Sequence, residues 1–373
     1  MWKFIRHELR YWLRTPMIWI FLLINTLLVF FAAASDNVQI GGSIGNIHKN
    51  SPFVIANFYS TMSVVCLLMT TAFMNATANR DFQYGMHQFV FASPIKKRDY
   101  FFGKFIGASI VSVIPMLGVS LGLLLAPVFS PVFDMAPAER FGSANFEAHF
   151  QALLSFAIPN VIISGVLLFS LAIIFRSSIV SFIGGMLLLM LYVFSGTFRR
   201  DIQNESIASL TDPFGGTSFD VMTKYLTVDE KNLHAVGLTG DLLINRLLWI
   251  GITLTILVLV YWRFSFTNRK EKAKKEKAVK HVAAPVISAK IFEPTKAIVF
   301  SFSVFFNLIR FETKAIIKNP SFITIMAIGL IMLIANLTTL TSTFGTTRYP
   351  VTYMVVESIQ NAYELFMIGF ITF

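Results

Sequence analysis

His7 and Glu8 open the stretch HELRY, which begins like a helical zinc motif in which two histidines one turn apart flank a glutamate base. Tyr11 stands where the second imidazole would have to be, so the two-ligand geometry is missing and His7 reads as an interfacial residue. The chain has a single cysteine, Cys66, inside an apolar run, which excludes an internal disulfide framework and a cysteine-based metal site. It contains no G-x-x-x-x-G-K-S/T phosphate loop, so ATP hydrolysis would have to be borrowed from a partner. No catalytic residue, metal ligand or cofactor site is therefore expected within these residues.

The charged side chains must do something other than catalysis, and composition says what they are set in. Of 373 residues 55% are hydrophobic and 14% charged, with 39 Phe and 15 Met. The mean hydropathy is +0.66, far above that of soluble globular chains. The net charge of +11 is spread between apolar runs instead of forming one soluble basic patch. That pattern fits membrane orientation and argues against nucleic acid as a partner.

Runs long enough to cross about 30 Å of hydrocarbon cover residues 17–34, 53–77, 104–129, 151–175, 178–197, 247–264 and 321–341. An eighth begins near Tyr353 and is still apolar at Phe373, which leads us to expect the front portion of a longer protein. Basic residues precede the first run (Lys3, Arg6, Arg10, Arg14) and follow the second, fourth and sixth, whereas 35–52 and 130–150 carry few. The positive-inside rule then places the N-terminus in the cytoplasm. The connection 198–246, mixed in sign and edged by Arg199 and Arg200, is kept outside because helix ends tolerate snorkelling side chains. Lysine, arginine, aspartate and glutamate are missing from mid-membrane positions of the first six runs, which argues against an ion-coupled carrier. Asn25, Asn57, Asn75 and Asn160 are read as helix-packing residues, Pro115 and Pro159 as kinks, and Gly184-Gly185 as a close approach.

One charged phrase is written twice. IRHELRYWLRTP at 5–16 and IRFETKAIIKNP at 309–320 pair Arg6 with Arg310, Glu8 with Glu312, Arg10 with Lys314, Arg14 with Lys318 and Pro16 with Pro320. In residues 2–14 the apolar Trp2, Ile5, Leu9, Trp12 and Leu13 share one helical face while Arg6, Arg10 and Arg14 recur every four residues on another. Each copy reads as an amphipathic helix at the membrane interface, with its glutamate free to pair locally. Arg10, Arg14, Arg310, Lys314 and Lys318 are assigned as interface anchors, with Arg14 and Lys318 closest to lipid phosphate and Arg6 and Glu8 turned to a protein partner. The repeat implies a first unit over 1–265, a basic cytoplasmic linker over 266–300 and the start of a second unit over 301–373, the linker's lysines reading as a tether to the lipid surface, with a specific protein contact as the alternative.

Two further stretches carry information. RDFQYGMHQFVFASPIKKRDYFFGK at 80–104 opens on Arg80-Asp81, turns at Gly85, breaks at Ser93-Pro94 and resumes with Lys96, Lys97 and Arg98 before Gly103-Lys104. A short stiff helix ended by Pro94 and anchored by that basic cluster would suit a push from a partner. In the longest outer connection, Asp212-Pro213-Phe214-Gly215 reads as a loop fold-back with an aromatic peg.

An interfacial helix before the first span, followed by R-D-x-x-x-G…S-P-I-x-x-x-x-Y…G-K before the third, resembles the permease subunits of type-2 ABC transporters. Arg80, Asp81, Gly85, Pro94, Ile95, Tyr100, Gly103 and Lys104 match; residues 87–91 are more aromatic than is usual there. Asp212-Pro213-Phe214-Gly215, Tyr225-Leu226-Thr227, Glu230-Lys231-Asn232 and Asn245 to Trp249 are similar to a bacterial subgroup whose duplicated permease units are fused to a C-terminal zinc aminopeptidase. The resemblance implies an all-α integral membrane protein of the bacterial inner membrane, with a six-helix permease unit followed by the start of a repeated one. It further implies an ATP-binding ABC subunit as partner, contacted through Arg6, Glu8, Arg80, Asp81, Gly85, Pro94, Lys97, Arg98 and Lys104. The second permease unit would come from the same chain or from a homodimer, and the function implied is export of an unspecified substrate. The alternative is a non-transporting membrane anchor for a peptidase.

Overall fold

The computed structural model describes residues 1–35, 46–198, 205–266 and 302–318, with scattered positions between 322 and 360. The linker from residue 267, the span expected at 321–341 apart from isolated positions, Pro320, Arg199, Arg200 and the run after residue 360 lie outside the described residues.

Helix α1 (Trp2–Arg14) runs into α2 (Pro16–Ala34) across an extended Thr15, because Pro16 cannot donate into α1 but suits the first turn of α2. Then come α3 (Pro52–Gln83), the short α4 (His87–Ala92), α5 (Lys97–Val113) and α6 (Leu117–Phe129). A 3₁₀ turn centred on Pro115 joins α5 to α6, so the third span is one broken helix over Lys97–Phe129. The fourth span joins α7 (Phe146–Ala152) to α8 (Ile158–Phe175) through a π-turn at Leu153–Ala157, just before Pro159. After α9 (Ser178–Phe198), three short helices, α10 (Glu205–Thr211), α11 (Gly216–Thr223) and α12 (Val228–Leu233), fill the connection to α13 (Gly240–Arg263). Helix α14 (Phe302–Ile317) carries the second copy of the charged phrase. Among the described residues the strand content is one antiparallel pair, Ser342–Thr343 with Thr346–Thr347.

Six helices among the described residues are long and apolar enough to cross a membrane. The protein is a helical multi-pass membrane protein. Helix α3 is its centre: two thirds of its apolar window is buried, against a third or less for α2, α9 and α13, whose outer faces are rows of exposed Leu, Ile, Val, Phe and Trp. In lipid that outward apolar surface costs nothing, and association has to come from close packing and interhelical hydrogen bonds.

Two small-x-x-x-small pairs provide the close packing. A Cβ on Gly103 or Gly107 of α5 would lie 2.6 Å from Phe4 Cβ or 2.8 Å from Glu8 Cβ, so α1 docks directly on the α5 backbone. On α6, Gly118 and Gly122 do the same for α2, at 2.8 Å from the Leu22 carbonyl and 2.7 Å from that of Thr26. Asn25 provides an interhelical hydrogen bond where Pro115 distorts the span, donating to the Pro115 carbonyl at 3.0 Å and to Cys66 Sγ at 3.0 Å.

The docking of α1 divides its apolar residues. Ile5, Glu8 and Trp12 are its buried residues, whereas Trp2 is 70% exposed and Leu13 41%. The face that packs takes in Ile5, Leu9 and Trp12 together with the Glu8 carboxylate and leaves Trp2 and Leu13 outside it.

Candidate functional site

The residues singled out around 80–104 meet at one end of the bundle, where α1, the last turns of α3, α4 and the start of α5 converge. Arg80 lies on α3 and Glu8 on α1, and Arg80 Nη2 donates to Glu8 Oε1 at 2.7 Å. The Tyr11 ring covers the guanidinium at 4.0 Å. Next to them Lys104 of α5 reaches Asp81 Oδ2 at 2.6 Å, and the Tyr100 hydroxyl donates to the same oxygen at 2.9 Å. Thr77 of α3 ties α1 and α5 together: its hydroxyl accepts from Trp12 Nε1 at 3.1 Å, and its carbonyl accepts from Lys104 Nζ at 3.1 Å. The chain start joins in, since the Met1 amino group lies 3.2 Å from Asp99 Oδ1. Charges placed in a helix junction need partners; each of these has one, with Glu8 Oε2 and Arg80 Nη1 left without a hydrogen bond of their own.

This arrangement revises the roles expected for several residues. Glu8 is fully buried and pairs across 72 positions with Arg80, not locally with Arg6 or Arg10, so it presents no surface to a partner. Lys104 is likewise buried, and Asp81 is held between Lys104 and Tyr100, so both act inside the protein. Arg6, Arg10, Arg14, Lys96 and Arg98 are exposed at this end. Lys97 is half-buried, donating to the Trp262 carbonyl at 3.4 Å and lying 4.6 Å from the Tyr261 ring. Arg310 and Lys314 on α14, and Lys318 just past its end, are exposed.

Between α3 and α4 the chain turns at Gly85, whose φ of +68° is a left-handed conformation that glycine adopts without strain. Ser93-Pro94 then ends α4, since the residue before proline is biased to extended backbone, and Ser93 has ψ 154°. The inner side of α4 rests on aromatic rings: Phe91 contacts Phe82, Tyr100 and Phe266 at centroid distances of 5.9, 5.7 and 4.7 Å. Its outer side and the turn before it expose Tyr84 (76%), Met86 (51%) and Phe89 (72%). The sequence indicated a helix here, but not that its inner aromatics pack on Phe264 and Phe266 at the end of α13.

At the opposite end lies a second polar cluster, built on a residue that the sequence reading gave only to the resemblance. Arg246, on the second turn of α13, is 2% exposed. Its Nε donates to the Ser155 carbonyl at 3.0 Å, which is left over because Pro159 has no N–H to offer four residues on. Its Nη1 donates to Asn160 Oδ1 at 2.9 Å and its Nη2 to the Phe214 carbonyl at 2.5 Å. Phe214 is buried as the expected peg, and Gly215 has φ +71° with the guanidinium 2.5 Å from where a Cβ would stand. Asp212 closes the loop with Oδ1 accepting from Phe214 N at 2.8 Å and Oδ2 from Thr217 N at 2.7 Å. Burial raises the Asp212 carboxyl above its usual range, against the opposing pull of those amides and of Arg246. Asn245 completes the knot by donating to the Ser209 and Asp212 carbonyls. The signal for this site was an arginine within an apolar helix, which must find partners.

No family model, curated protein or solved structure matches the chain. Among the described residues no three His, Cys, Asp or Glu side chains gather as metal ligands.

Proposed function

We propose that this protein is the membrane permease component of an ATP-driven exporter of the type-2 ABC class, with ATP hydrolysed by a separate subunit that docks on α4. The observation that carries the reading is the exposed surface made by Phe89 of the six-residue α4 with Tyr84 and Met86 of the turn before it, backed by aromatic rings and set beside two ion pairs. A push on such a surface cannot be absorbed locally. Asp81–Lys104 links α3 to α5, Glu8–Arg80 links α3 to α1, and the force passes to the spans as a rigid displacement. In this reading the basic end faces the cytoplasm of a bacterial inner membrane, the exposed Arg6, Arg98 and Lys96 meet acidic groups of the subunit, and Arg10 and Arg14 hold lipid phosphate. A second permease unit, begun at α14 or supplied by another copy, completes the pathway.

The test is isolation of the protein from its native membrane in mild detergent. A co-purifying subunit with ATPase activity is expected, and Phe89→Arg should release it without changing the thermal stability of the permease. An anchor for a peptidase would retain no ATPase, and that result would overturn the reading. Charge reversal at Arg80 is unsuitable, because it would leave Glu8 buried and unpaired.

A further inference from the structure

Leu117, Leu121, Leu125, Phe129 and Phe133 recur every four residues, and all five are exposed. The row starts beside the Pro115 break inside the third span, follows the outer face of α6, and runs past the end of that helix into the next connection. Val128 and Val132 flank it, and there the exposure is largest, 73% for Val132 and 63% for Phe133. The Phe129 and Phe133 rings stack at a centroid distance of 6.3 Å. A contiguous apolar surface of this kind marks a contact, and here it continues a surface that lies in lipid.

The turn that carries these side chains is held by its own hydrogen bonds. The amides of Ser130, Phe133, Asp134 and Met135 donate to the carbonyls of Ala126, Phe129, Pro131 and Ser130 at 2.9, 3.0, 3.4 and 3.0 Å, and Pro131 has no N–H to satisfy. Ser130 is buried, and its hydroxyl reaches the Ala34 carbonyl at 3.3 Å, which clasps the turn to the end of α2. Internal pairing of this kind is what allows irregular backbone to approach apolar lipid. Depth follows from α2, whose 19 residues rise roughly 28 Å, close to the thickness of the hydrocarbon core. With Pro16 at one edge of the core, Ala34 and the turn clasped to it stand at the other.

The sequence of the turn selects which part of the lipid it meets. Between Lys104 and Arg140 there is no Lys or Arg, so the turn has no cation to offer a phosphate. What it presents is aromatic and branched apolar surface.

We propose that the turn after α6 is a membrane anchor, with Phe129, Val132 and Phe133 seated among the upper acyl chains and glycerol groups of the leaflet opposite the basic end. The third span then ends inside the lipid and not in water, and the clasp at Ser130 holds the end of α2 at the same depth. The anchor is independent of any ATPase partner.

The experiment uses the full chain with Cys66→Ser, in nanodiscs of phosphatidylethanolamine and phosphatidylglycerol, with a nitroxide on one introduced cysteine at a time. Val132→Cys and Phe133→Cys are compared with Leu121→Cys in the hydrocarbon and with Leu233→Cys on the exposed α12. Power saturation measures collisions with oxygen, which enters the hydrocarbon, and with a nickel chelate, which stays in water. The oxygen-to-nickel ratio at 132 and 133 is expected below that at 121 and roughly fivefold or more above that at 233, because a charged chelate is excluded from apolar lipid. Adding Phe133→Asp should lower the ratio at 132 by about threefold or more, because a carboxylate is drawn toward water, with melting in detergent unchanged. A ratio at 132 and 133 equal to that at 233 would place the turn in water and overturn the proposal. Exclusion of both probes, the sign of a covering protein segment, would overturn it too, as would an unchanged ratio in folded Phe133→Asp protein.

Discussion

Glu8 shows how much a single carboxylate can decide in a dry junction. With its side chain wholly buried and one oxygen on Arg80, removing either partner leaves the other charge uncompensated, a change that costs about 3–5 kcal/mol where both are well buried. Arg80 keeps a side chain 14% exposed, so its removal should lie at or below the lower bound. We expect Arg80→Ala to lower stability by about 2–3 kcal/mol, read from denaturant unfolding in detergent, and Glu8→Gln/Arg80→Gln to recover part of that loss. A double variant no better than the single one would show that the pair is not what joins α1 to α3. Glu230 makes the opposite case of an exposed carboxylate with a purely local task. It accepts from Thr227 N and Oγ1, both at 2.8 Å, and these hydrogen bonds hold its carboxyl below the ordinary value of 4.5. A depressed folded value means that its support of α12 is fully present above about pH 4.5 and fades as pH falls through the lowered value. Hydrogen exchange of the α12 amides, corrected for intrinsic pH dependence, should show that loss, and Glu230→Gln should abolish the pH response; a response that survives the substitution refutes the assignment.

At the scale of elements, what the sequence showed and what it hid divide by the range of the physics. The six spans were legible because about 20 apolar residues in a row have few other uses. Their ends were less so: α3 continues past the expected residue 77 to Gln83, and α13 begins at Gly240, well before 247, because polar helical turns beyond the hydrocarbon leave no apolar signal. That early start is why Arg246 escaped notice as a buried group. The Gly103/Gly107 and Gly118/Gly122 pairs were visible as spacing, but nothing in one sequence names the helix each pair receives. They give a sharp prediction all the same. Gly122→Leu drives a side chain into the Thr26 carbonyl and the Phe30 amide of α2, where overpacking costs about 1–3 kcal/mol. Gly251→Leu on α13, where a Cβ meets nothing within 4 Å, should leave stability within about 0.5 kcal/mol. Equal melting shifts for the two would contradict the α2–α6 packing.

On the scale of the whole molecule, the exposed cations Lys3, Arg6, Arg10, Arg14, Lys96 and Arg98 share one end, and α10, α11 and α12 fill the connection at the other. Both copies of the charged phrase are helices, but α1 buries Ile5, Glu8 and Trp12 whereas the described side chains of α14 are nearly all exposed, so the likeness stands in sequence and helix and not yet in packing. Orientation is where the repeat can be tried. The one cysteine, Cys66, is buried, so Cys66→Ser gives a background in which single cysteines report sidedness. Three positions matter: Lys3 on α1, Leu233 on α12, which is 71% exposed, and Lys314 on α14. If basic ends face the cytoplasm, an impermeant maleimide added to intact cells labels Leu233→Cys alone, and Lys3→Cys reacts only after the membrane is opened. A duplicated unit requires Lys314→Cys to follow Lys3→Cys, because six spans return the chain to the side from which it started. Labelling of Lys314→Cys on intact cells would break the repeat while leaving the first six spans untouched, and labelling of Lys3→Cys there would reverse the whole arrangement.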